Sequence, residues 1–300
     1  MKIAVTGAFS YTGKFVTKRL LARGEKVITL TNHPHRSDPF NRQVKAFPLD
    51  FDEVGMTKSL DGVDVLINTY WVRFDKDSNT QPRAVENTRK LVNAAKAAGV
   101  KRIVHVSIAN PSAESHLPYY WGKAANEKAV LDSGLAYAII RPTVLVGHED
   151  ILINNIAFLL RRLPFFLIPG DGSYGIQPVH VEDVADLLVE GVYGKDNYIV
   201  DAIGPESYTF KELVRLVGAK TGAQRPLVSV PPRLALLAAQ FLSLFVSDVI
   251  LTPEEVDGLM ANLLVSKEPA RCKTKFSDWL EENKDVIGMK YASEIEKHYQ

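Results

Sequence analysis

The sequence predicts an α/β protein: a doubly wound parallel sheet with helices on both faces, followed by a smaller, mostly helical C-terminal lobe. Three observations predict it. Short apolar runs alternate with helical patterns through the first half of the chain. The apolar runs lack the polar alternation of a half-exposed sheet. The second half turns mainly helical, and 300 residues of which 46% are hydrophobic suffice to bury a core without disulfides or metals.

The strands of the first half are predicted from runs rich in Val, Ile and Leu, at residues 2–6, 26–31, 64–69, 102–107 and 136–141. A weaker strand is expected at residues 44–50, where Pro48 cannot donate to a ladder and so indicates either an edge strand or the end of a strand. Apolar residues at helical spacing predict helices at residues 12–23, 82–98 and 118–133. Gly24 and Gly99 follow two of these helices, as is typical of helix ends.

The second half is expected to carry helices at residues 151–162, 181–193 and 231–247 and from Phe276 to the C-terminus, with a loop-rich stretch at 164–174. Capping boxes at Thr209 and Thr252 predict two more helix starts. The helix at 181–193 and a strand at 197–201 are expected to return to the sheet. Residues 1–145 and 178–203 would then form one domain, and residues 146–177 and 204–300 the other lobe.

Charge and cysteine content exclude several classes of protein. Lys plus Arg number 36 and Asp plus Glu 35, a net charge of +1, so no nucleic-acid partner is expected. The single cysteine, Cys272, suits a reducing compartment, and with no visible targeting segment it predicts a cytoplasmic protein. Since no metal-ligand spacing occurs, no metal is expected.

The apolar tract 234–246 is too short to span a bilayer, so we expect a buried helix, with a membrane-surface contact as the less favoured alternative.

A glycine-containing turn joins the first strand to the first helix, within Thr6-Gly7-Ala8-Phe9-Ser10-Tyr11-Thr12-Gly13. A dinucleotide pyrophosphate needs accessible backbone N–H groups and a helix N-terminus aimed at its charge. A glycine at the tight turn and another at the close approach of helix to strand are typical of such loops, and Ser10 stands where a third glycine is usual. The first half is therefore predicted to bind NAD(P), through Gly7, Phe9, Ser10, Tyr11 and Gly13. The alternative is a glycine-rich turn that binds no ligand.

The preferred nucleotide is predicted from the end of the second strand. A carboxylate there binds the ribose 2′-hydroxyl of NAD, whereas a cation favours the 2′-phosphate of NADP. The segment 31–36 has no acid and ends in Arg36, with Asn32 and His35 as assisting groups. We therefore expect NADP(H) to be preferred over NAD(H), unless Arg36 is a solvated loop cation. Asp50, after the third strand, is expected near the adenine or as a helix cap.

Tyr119 and Lys123 form the candidate catalytic pair. They share a face of the helix that begins at Pro118, directly after the fifth strand. An ammonium beside a phenol favours the phenolate, so Tyr119 would serve as general acid or base. Lys123 would also hold the nicotinamide ribose, and Ser107 would bind the substrate oxygen. The alternative is a structural Tyr with a solvated Lys.

The residues after the fourth strand supply further candidates. Asn68 and Thr69 are expected beside the cofactor. Tyr70, Trp71 and Arg73 would form a substrate wall, although aromatic residues here more often serve packing.

The TGxxxxxG opening, the strand-end Ser107, the YxxxK at 119–123, Arg141-Pro142-Thr143 and the PVHVEDVA at 178–185 resemble the short-chain dehydrogenase/reductase superfamily. Together they look like its extended and atypical branches: NAD(P)-dependent epimerases/dehydratases, NmrA-like proteins and relatives of a complex I accessory subunit. The resemblance covers most of the chain. It implies a Rossmann-type fold, NAD(P) binding and hydride chemistry. It assigns the Ser, Tyr and Lys roles to Ser107, Tyr119 and Lys123, and places Arg141 and Pro142 at the cofactor.

Two functions follow from these residues. The first is an NADP(H)-preferring oxidoreductase or epimerase-like enzyme that acts on a small carbonyl or alcohol substrate of unknown identity. The second is a non-catalytic NADP(H)-binding sensor or assembly protein of NmrA-like type. A homodimer is compatible with either function.

Overall fold

The computed structural model describes residues 1–33 and 36–295. Its strands are β1 Lys2–Thr6, β2 Lys26–Thr31, β3 Lys45–Pro48, β4 Val65–Asn68, β5 Arg102–Val106, β6 Ala136–Pro142, β7 Val144–Val146, β8 Phe166–Pro169, β9 Gly175–Ile176, β10 Pro178–His180, β11 Tyr198–Ala202, β12 Tyr208–Thr209 and β13 Leu227–Val230. Its helices are α1 Tyr11–Ala22, α2 Glu53–Ser59, α3 Gln81–Ala97, α4 Pro118–Asp132, α5 Leu152–Arg162, α6 Val181–Tyr193, α7 Phe210–Lys220, α8 Pro232–Val246, α9 Pro253–Met260 and α10 Phe276–Asn283.

These elements form two units. The first comprises Met1–Pro142 and Val181–Ala202, and the second comprises Thr143–His180 and Ile203–Gln300, of which the structure describes residues up to 295.

The first unit is built on a seven-stranded sheet in the order β11-β6-β5-β4-β1-β2-β3, in which all neighbouring strands are parallel. Helices α1 and α6 pack on each other in one layer, and α2, α3 and α4 form another. This is the predicted doubly wound, Rossmann-type sheet. The interior strand β5 is buried throughout, because helices cover both faces of the sheet.

The strand order reverses between β1 and β4, since the chain runs outward from β1 to β3 and then returns to β4 on the other side. Ligands of doubly wound sheets bind at such a reversal, beyond the carboxyl ends of the strands. The loop after β1 and the segments after β4 and β5 all lie at this edge. The fold therefore brings the predicted site residues of three separate segments to one end of one sheet.

Several predicted elements are confirmed in the first unit. The strand with Pro48 lies at the sheet edge, and β11 joins β6 as the returning strand. Helix α2 was not predicted; Asp52 caps it by accepting a hydrogen bond from the N–H of Gly55. A lone Asp before a Gly-containing segment is a weak helix signal, and the preceding Phe51 adopts a left-handed φ of 59°.

The second unit packs five helices, α5 and α7–α10, with three two-stranded sheets in its described part. Its core is apolar and rich in aromatic side chains, including Phe166, Phe210, Phe276 and Trp279. Both predicted capping boxes form, at the starts of α7 and α9.

The loop-rich stretch predicted at 164–174 is confirmed, although it also contains the unpredicted strand β8, which pairs in parallel with β13 about sixty residues later. Two other expectations for this unit are wrong. The helix that begins at Phe276 ends at Asn283 instead of continuing to the C-terminus. The helix over residues 234–246 was expected to be buried, yet only Ala235 and Ala239 of α8 are buried. Five of its large apolar residues are exposed instead: Leu234, Leu237, Phe241, Leu244 and Phe245.

No helix in the described part of the chain has the length and apolar character needed to cross a membrane.

Candidate functional site

The loop between β1 and α1 has the backbone of a phosphate-binding turn. Gly7 adopts a left-handed φ of 65°, and its N–H donates to Leu30 O on the neighbouring strand. A Cβ on Gly13 would lie 2.0 Å from the carbonyl oxygen of Gly7, so only glycine allows α1 to approach the loop this closely. The two glycines thus have the two roles that the sequence predicted.

Ser10 is the N-cap residue of α1, but its side chain makes no capping hydrogen bond. Its hydroxyl instead donates to Gly7 O at 2.6 Å, and its N–H donates to the same oxygen at 2.8 Å. The Ser10 hydroxyl therefore closes the loop and does not cap the positive N-terminal end of α1. An uncapped helix N-terminus beside a glycine turn fits the diphosphate of a dinucleotide.

Two further loop residues were predicted to contact the cofactor. Phe9 is buried and lies 6.3 Å from Phe40 between ring centres, while Tyr11 makes an edge contact with Phe15 at 6.0 Å. Both rings therefore also have packing partners in the protein.

The residues predicted to select the nucleotide follow β2 and β3. Asn32 is exposed and Arg36 is half-buried, with its N–H donating to His33 O. His35 lies outside the described residues. Asp50 is exposed and its carboxylate accepts a hydrogen bond from the N–H of Asp52 at 3.2 Å, a local turn contact.

The end of β4 is tied to the phosphate loop by hydrogen bonds. The hydroxyl of Thr69 donates to Thr6 O at 2.6 Å, and its N–H donates to the hydroxyl of Thr6 at 2.7 Å. The buried side chain of Asn68 accepts from Tyr70 N–H at 3.0 Å and contacts His105 Nδ1 through its amide nitrogen at 3.1 Å. Asn68 and Thr69 therefore fix the edge of the crevice next to the loop.

Tyr119, Lys123 and Trp71 come together at the start of α4. The Lys123 Nζ lies 5.0 Å from the centre of the Trp71 ring and 6.0 Å from that of Tyr119. Trp71 and Tyr119 meet edge to face at 5.7 Å. Lys123 is buried and donates to Val106 O at 3.1 Å, directly before Ser107. The alternative of a solvated Lys123 is therefore wrong.

Gly122 allows the Trp71 ring to pack closely against α4. A Cβ at Gly122 would lie 2.5 Å from Cη2 of Trp71, closer than real Cβ contacts allow. The glycine of the Tyr-Tyr-Trp-Gly-Lys segment thus has a packing role that the sequence analysis did not assign.

Two buried bases lie in this polar region. Burial lowers the pKa of Lys123 to about 7, with Glu127 acting in the opposite direction. Burial, and then the charge of Lys123, lower the pKa of His105 to about 3, so His105 is neutral. His105 was not predicted as a site residue; its place in the middle of an apolar strand was the available signal.

Several buried polar atoms here have no hydrogen-bond partner within the described chain. They include the hydroxyl of Ser107, Nε2 of His105 and both side-chain polar atoms of Asn126. A buried polar group without a partner is costly, and at the carboxyl edge of a sheet it fits a ligand or water that completes its bonding. The glycine cradle fits a dinucleotide, and the Ser107 hydroxyl, directly after β5, has hydrogen-bonding capacity left for a further group.

Arg141, at the end of β6, forms a bidentate pair with Glu127 of α4, at 2.8 and 2.6 Å. The carboxylate raises the pKa of Arg141 further. The neighbouring Pro142 is buried and accepts a hydrogen bond from Ala109 N–H. The structure thus gives Arg141 an ion-pair partner that the resemblance did not indicate. Glu127, four residues after Lys123, was not predicted as that partner.

The other proposed wall residues have partners of their own. Tyr70 packs on Phe51 at 4.8 Å, and its hydroxyl accepts from the amide of Asn87 at 3.0 Å. Burial raises the pKa of Tyr70. The Arg73 guanidinium lies 5.8 Å from the ring of Phe74.

Residues 7–192 match the model of an NAD(P)H-binding family, so the chain belongs to that family, within the extended short-chain dehydrogenase/reductase superfamily that the motifs predicted.

The chain is also similar to curated proteins. An uncharacterised protein of Mycobacterium tuberculosis is 27% identical over 232 residues, which cover 77% of this chain and 24% of that protein. NADH dehydrogenase (ubiquinone) 1 alpha subcomplex subunit 9 of Arabidopsis thaliana is 26% identical over 71% of this chain and 56% of its own length. The 40 kDa subunit of NADH-ubiquinone oxidoreductase from Neurospora crassa is 25% identical over 96% and 77%. The chain thus spans about a quarter of the mycobacterial relative and just over half of the plant one.

Solved structures share the fold. An NADPH-dependent quinone oxidoreductase from Escherichia coli, complexed with NADPH, superposes with a TM-score of 0.73 at 19% identity, covering 99% of this chain and 100% of that one. A UDP-N-acetylglucosamine 4-epimerase from Methanobrevibacter ruminantium gives 0.69 at 15% identity, covering 95% and 97%.

Proposed function

We propose that the protein is an NADP(H)-preferring oxidoreductase or epimerase-like enzyme that acts on a small carbonyl or alcohol substrate. The observation that carries the proposal is the buried Lys123 held between Trp71 and Tyr119, at the strand end that presents Ser107. A lysine kept in such a place costs folding free energy. Its position next to Tyr119 supports a chemical role.

The dinucleotide would lie across the glycine turn of Gly7 and Gly13, with its diphosphate at the start of α1. When bound, its nicotinamide supplies or accepts the hydride. Tyr119 donates a proton from its hydroxyl to the carbonyl oxygen in reduction and accepts it in oxidation. Ser107, whose hydroxyl has no partner in the described chain, donates a hydrogen bond to the same oxygen. Lys123, when charged, lowers the cost of the Tyr119 phenolate and binds the ribose hydroxyls.

Reduction and epimerisation use the same residues. A one-way hydride transfer gives reduction, whereas return of the hydride to the opposite face gives epimerisation. The similarity in fold to an NADPH-dependent quinone oxidoreductase supports NADPH as cofactor and a carbonyl of quinone type as one substrate to test.

The acid/base role of Tyr119 is tested by a screen of carbonyl substrates with NADPH. Native turnover is expected to fall at least a hundredfold in Tyr119→Phe, since a positioned general acid contributes about 10²–10⁴-fold. Tyr120→Phe, which removes the neighbouring hydroxyl, is the matched control and should retain activity. Turnover that survives Tyr119→Phe would eliminate Tyr119 as the acid/base group.

The nucleotide preference rests on Arg36 and on the absence of an acid in residues 31–36. NADPH is expected to bind at least about tenfold tighter than NADH, through a bidentate pair of Arg36 with the 2′-phosphate. Arg36→Ala should remove most of this difference. Arg23→Ala, just after α1, is the control and should leave it unchanged. Equal affinities for the two nucleotides in the native chain would refute the preference.

A second candidate is a non-catalytic NADP(H)-binding sensor or assembly protein. It is favoured by the relatives that are named as subunits of NADH-ubiquinone oxidoreductase. Tight NADPH binding with no turnover across the carbonyl screen would support this function over the enzyme.

A further inference from the structure

Helix α8 exposes a continuous apolar surface. Its large side chains point outward: Leu234 is 52% exposed, Leu237 59%, Phe241 61%, Leu244 77% and Phe245 73%. We call these five residues the α8 apolar face. The helix packs on β8, and Ala235 and Ala239 are its buried residues. The fully buried positions of α8 are thus alanines, whereas five of its large apolar side chains remain exposed.

The spacing of the exposed residues is that of a helix-pairing seam. Leu234, Leu237, Phe241 and Leu244 are separated by three, four and three positions, the a/d repeat with which two helices pack against each other. From their exposed fractions, the five residues together expose at most about 700 Å², most of it apolar, which approaches the ~800 Å² buried per partner in a stable protein interface. A patch of this size exceeds what a monomer usually exposes.

The charges around this face favour a protein helix over a lipid surface. Helices that lie on membranes carry Lys and Arg along a polar face, whereas α8 has Arg233 as its one charged residue and no polar face. Since no charge would be buried, two copies of the same face can meet without repulsion. A self-complementary patch is also what a two-fold dimer requires.

We propose that a second copy of this chain covers the α8 apolar face, with the two helices antiparallel about a two-fold axis. Leu237 then packs against Phe241 of the partner subunit, and Leu234 against Leu244 of the partner subunit. Arg233, at the start of α8, comes to lie beside the C-terminal end of the partner helix, where the helix dipole favours a cation. This inference is independent of the proposed enzymatic function.

Light scattering coupled to size-exclusion chromatography tests the proposal on the full chain. The native protein is expected to be a dimer. Phe241→Asp should raise the dissociation constant of the dimer by about a hundredfold or more, because an aromatic side chain at the centre of the proposed interface is replaced by a charge. The matched control is Val286→Asp, which changes an apolar side chain that is 58% exposed in the same unit but outside α8. This control should remain a dimer.

The antiparallel arrangement has a test that does not depend on a destabilising variant. Leu237→Cys and Phe241→Cys chains, mixed and oxidised, should form a disulfide with each other. Neither should form one with itself, because four residues of offset put the two Cα atoms beyond disulfide reach. Because the native Cys272 is buried, oxidation of the native chain serves as the control for disulfides that do not involve the introduced cysteines.

Three results would overturn the proposal. One is a native chain that stays monomeric at all concentrations. Another is a dimer that persists in Phe241→Asp. The third is a monomer that binds phosphatidylcholine–phosphatidylglycerol vesicles and loses this binding in Phe241→Asp, which would assign the face to a lipid surface instead.

Discussion

Replacing Lys123 by Met tests directly whether the site holds a buried titrating amine. Burial lowers the pKa of Lys123 from 10.5 to about 7. At about 1.4 kcal/mol per pH unit, charging this amine costs the fold about 5 kcal/mol at pH values well below 7. Between pH 7 and 10.5 the unfolded chain binds a proton that the folded chain lacks. The free energy of unfolding of the native chain therefore rises with pH across this window.

Lys123→Met removes this titration. The variant should be stabilised relative to the native chain more at pH 6.5 than at pH 9, with a difference of about 2.5 kcal/mol between the two values. The lost hydrogen bond to Val106 O shifts both values by about 1 kcal/mol and leaves the difference unchanged. Urea unfolding followed by circular dichroism at both pH values measures it.

Lys128→Met is the control on the same helix. Lys128 is exposed and pairs with Asp132 at 2.8 Å, so its loss should change stability by less than about 0.5 kcal/mol at either pH. If Lys123→Met and the native chain show the same dependence of stability on pH, the amine does not titrate in this window and the reasoning fails.

Three other substitutions have definite expected outcomes. Gly122→Ala should lower the free energy of unfolding by about 1–2 kcal/mol in chemical denaturation, because the new Cβ collides with Trp71, although alanine normally stabilises a helix. In a Trp71→Phe background this loss should vanish, whereas a single variant more stable than the native chain would contradict the contact. Gly13→Ala should abolish NADPH binding in calorimetry, because its Cβ collides with the loop carbonyl, so unchanged affinity would refute the role given to this glycine. Glu127→Gln should lower the free energy of unfolding by about 3 kcal/mol, because it leaves Arg141 without its buried carboxylate partner. Asp132→Asn, which breaks an exposed pair, should lower it by less than about 0.5 kcal/mol. Similar unfolding midpoints for the two variants would show that the buried pair is no more stabilising than the exposed one.

The sequence predicted best what is local or strictly patterned. The strand–glycine turn–helix at the N-terminus, the capping boxes of Thr209 and Thr252 and the edge position of the Pro48 strand are all set by a few adjacent residues. Tyr119 and Lys123 were found because four residues on a helix bring two side chains to one face.

What the sequence did not predict depends on partners far away in the chain. The parallel pair of β8 and β13 joins two segments of four residues each, too short to show a period. The Glu127–Arg141 pair and the fit of Trp71 over Gly122 are tertiary contacts. In α8 the apolar pattern is nearly uniform, so composition alone could not show that its two fully buried residues are alanines.

The buried bases also constrain how charge is distributed in the site. His105 and Lys123 lie close enough for their charges to interact, and burial disfavours a charge on either one. Because the pKa of His105 is lowered to about 3 and that of Lys123 to about 7, the pair carries at most one positive charge near neutral pH, and that charge is on the amine. Any ligand that accepts hydrogen bonds from this amine favours its charged form, so binding should become coupled to proton uptake near pH 7. The same burial that weakens the fold therefore makes the amine responsive to what binds beside it.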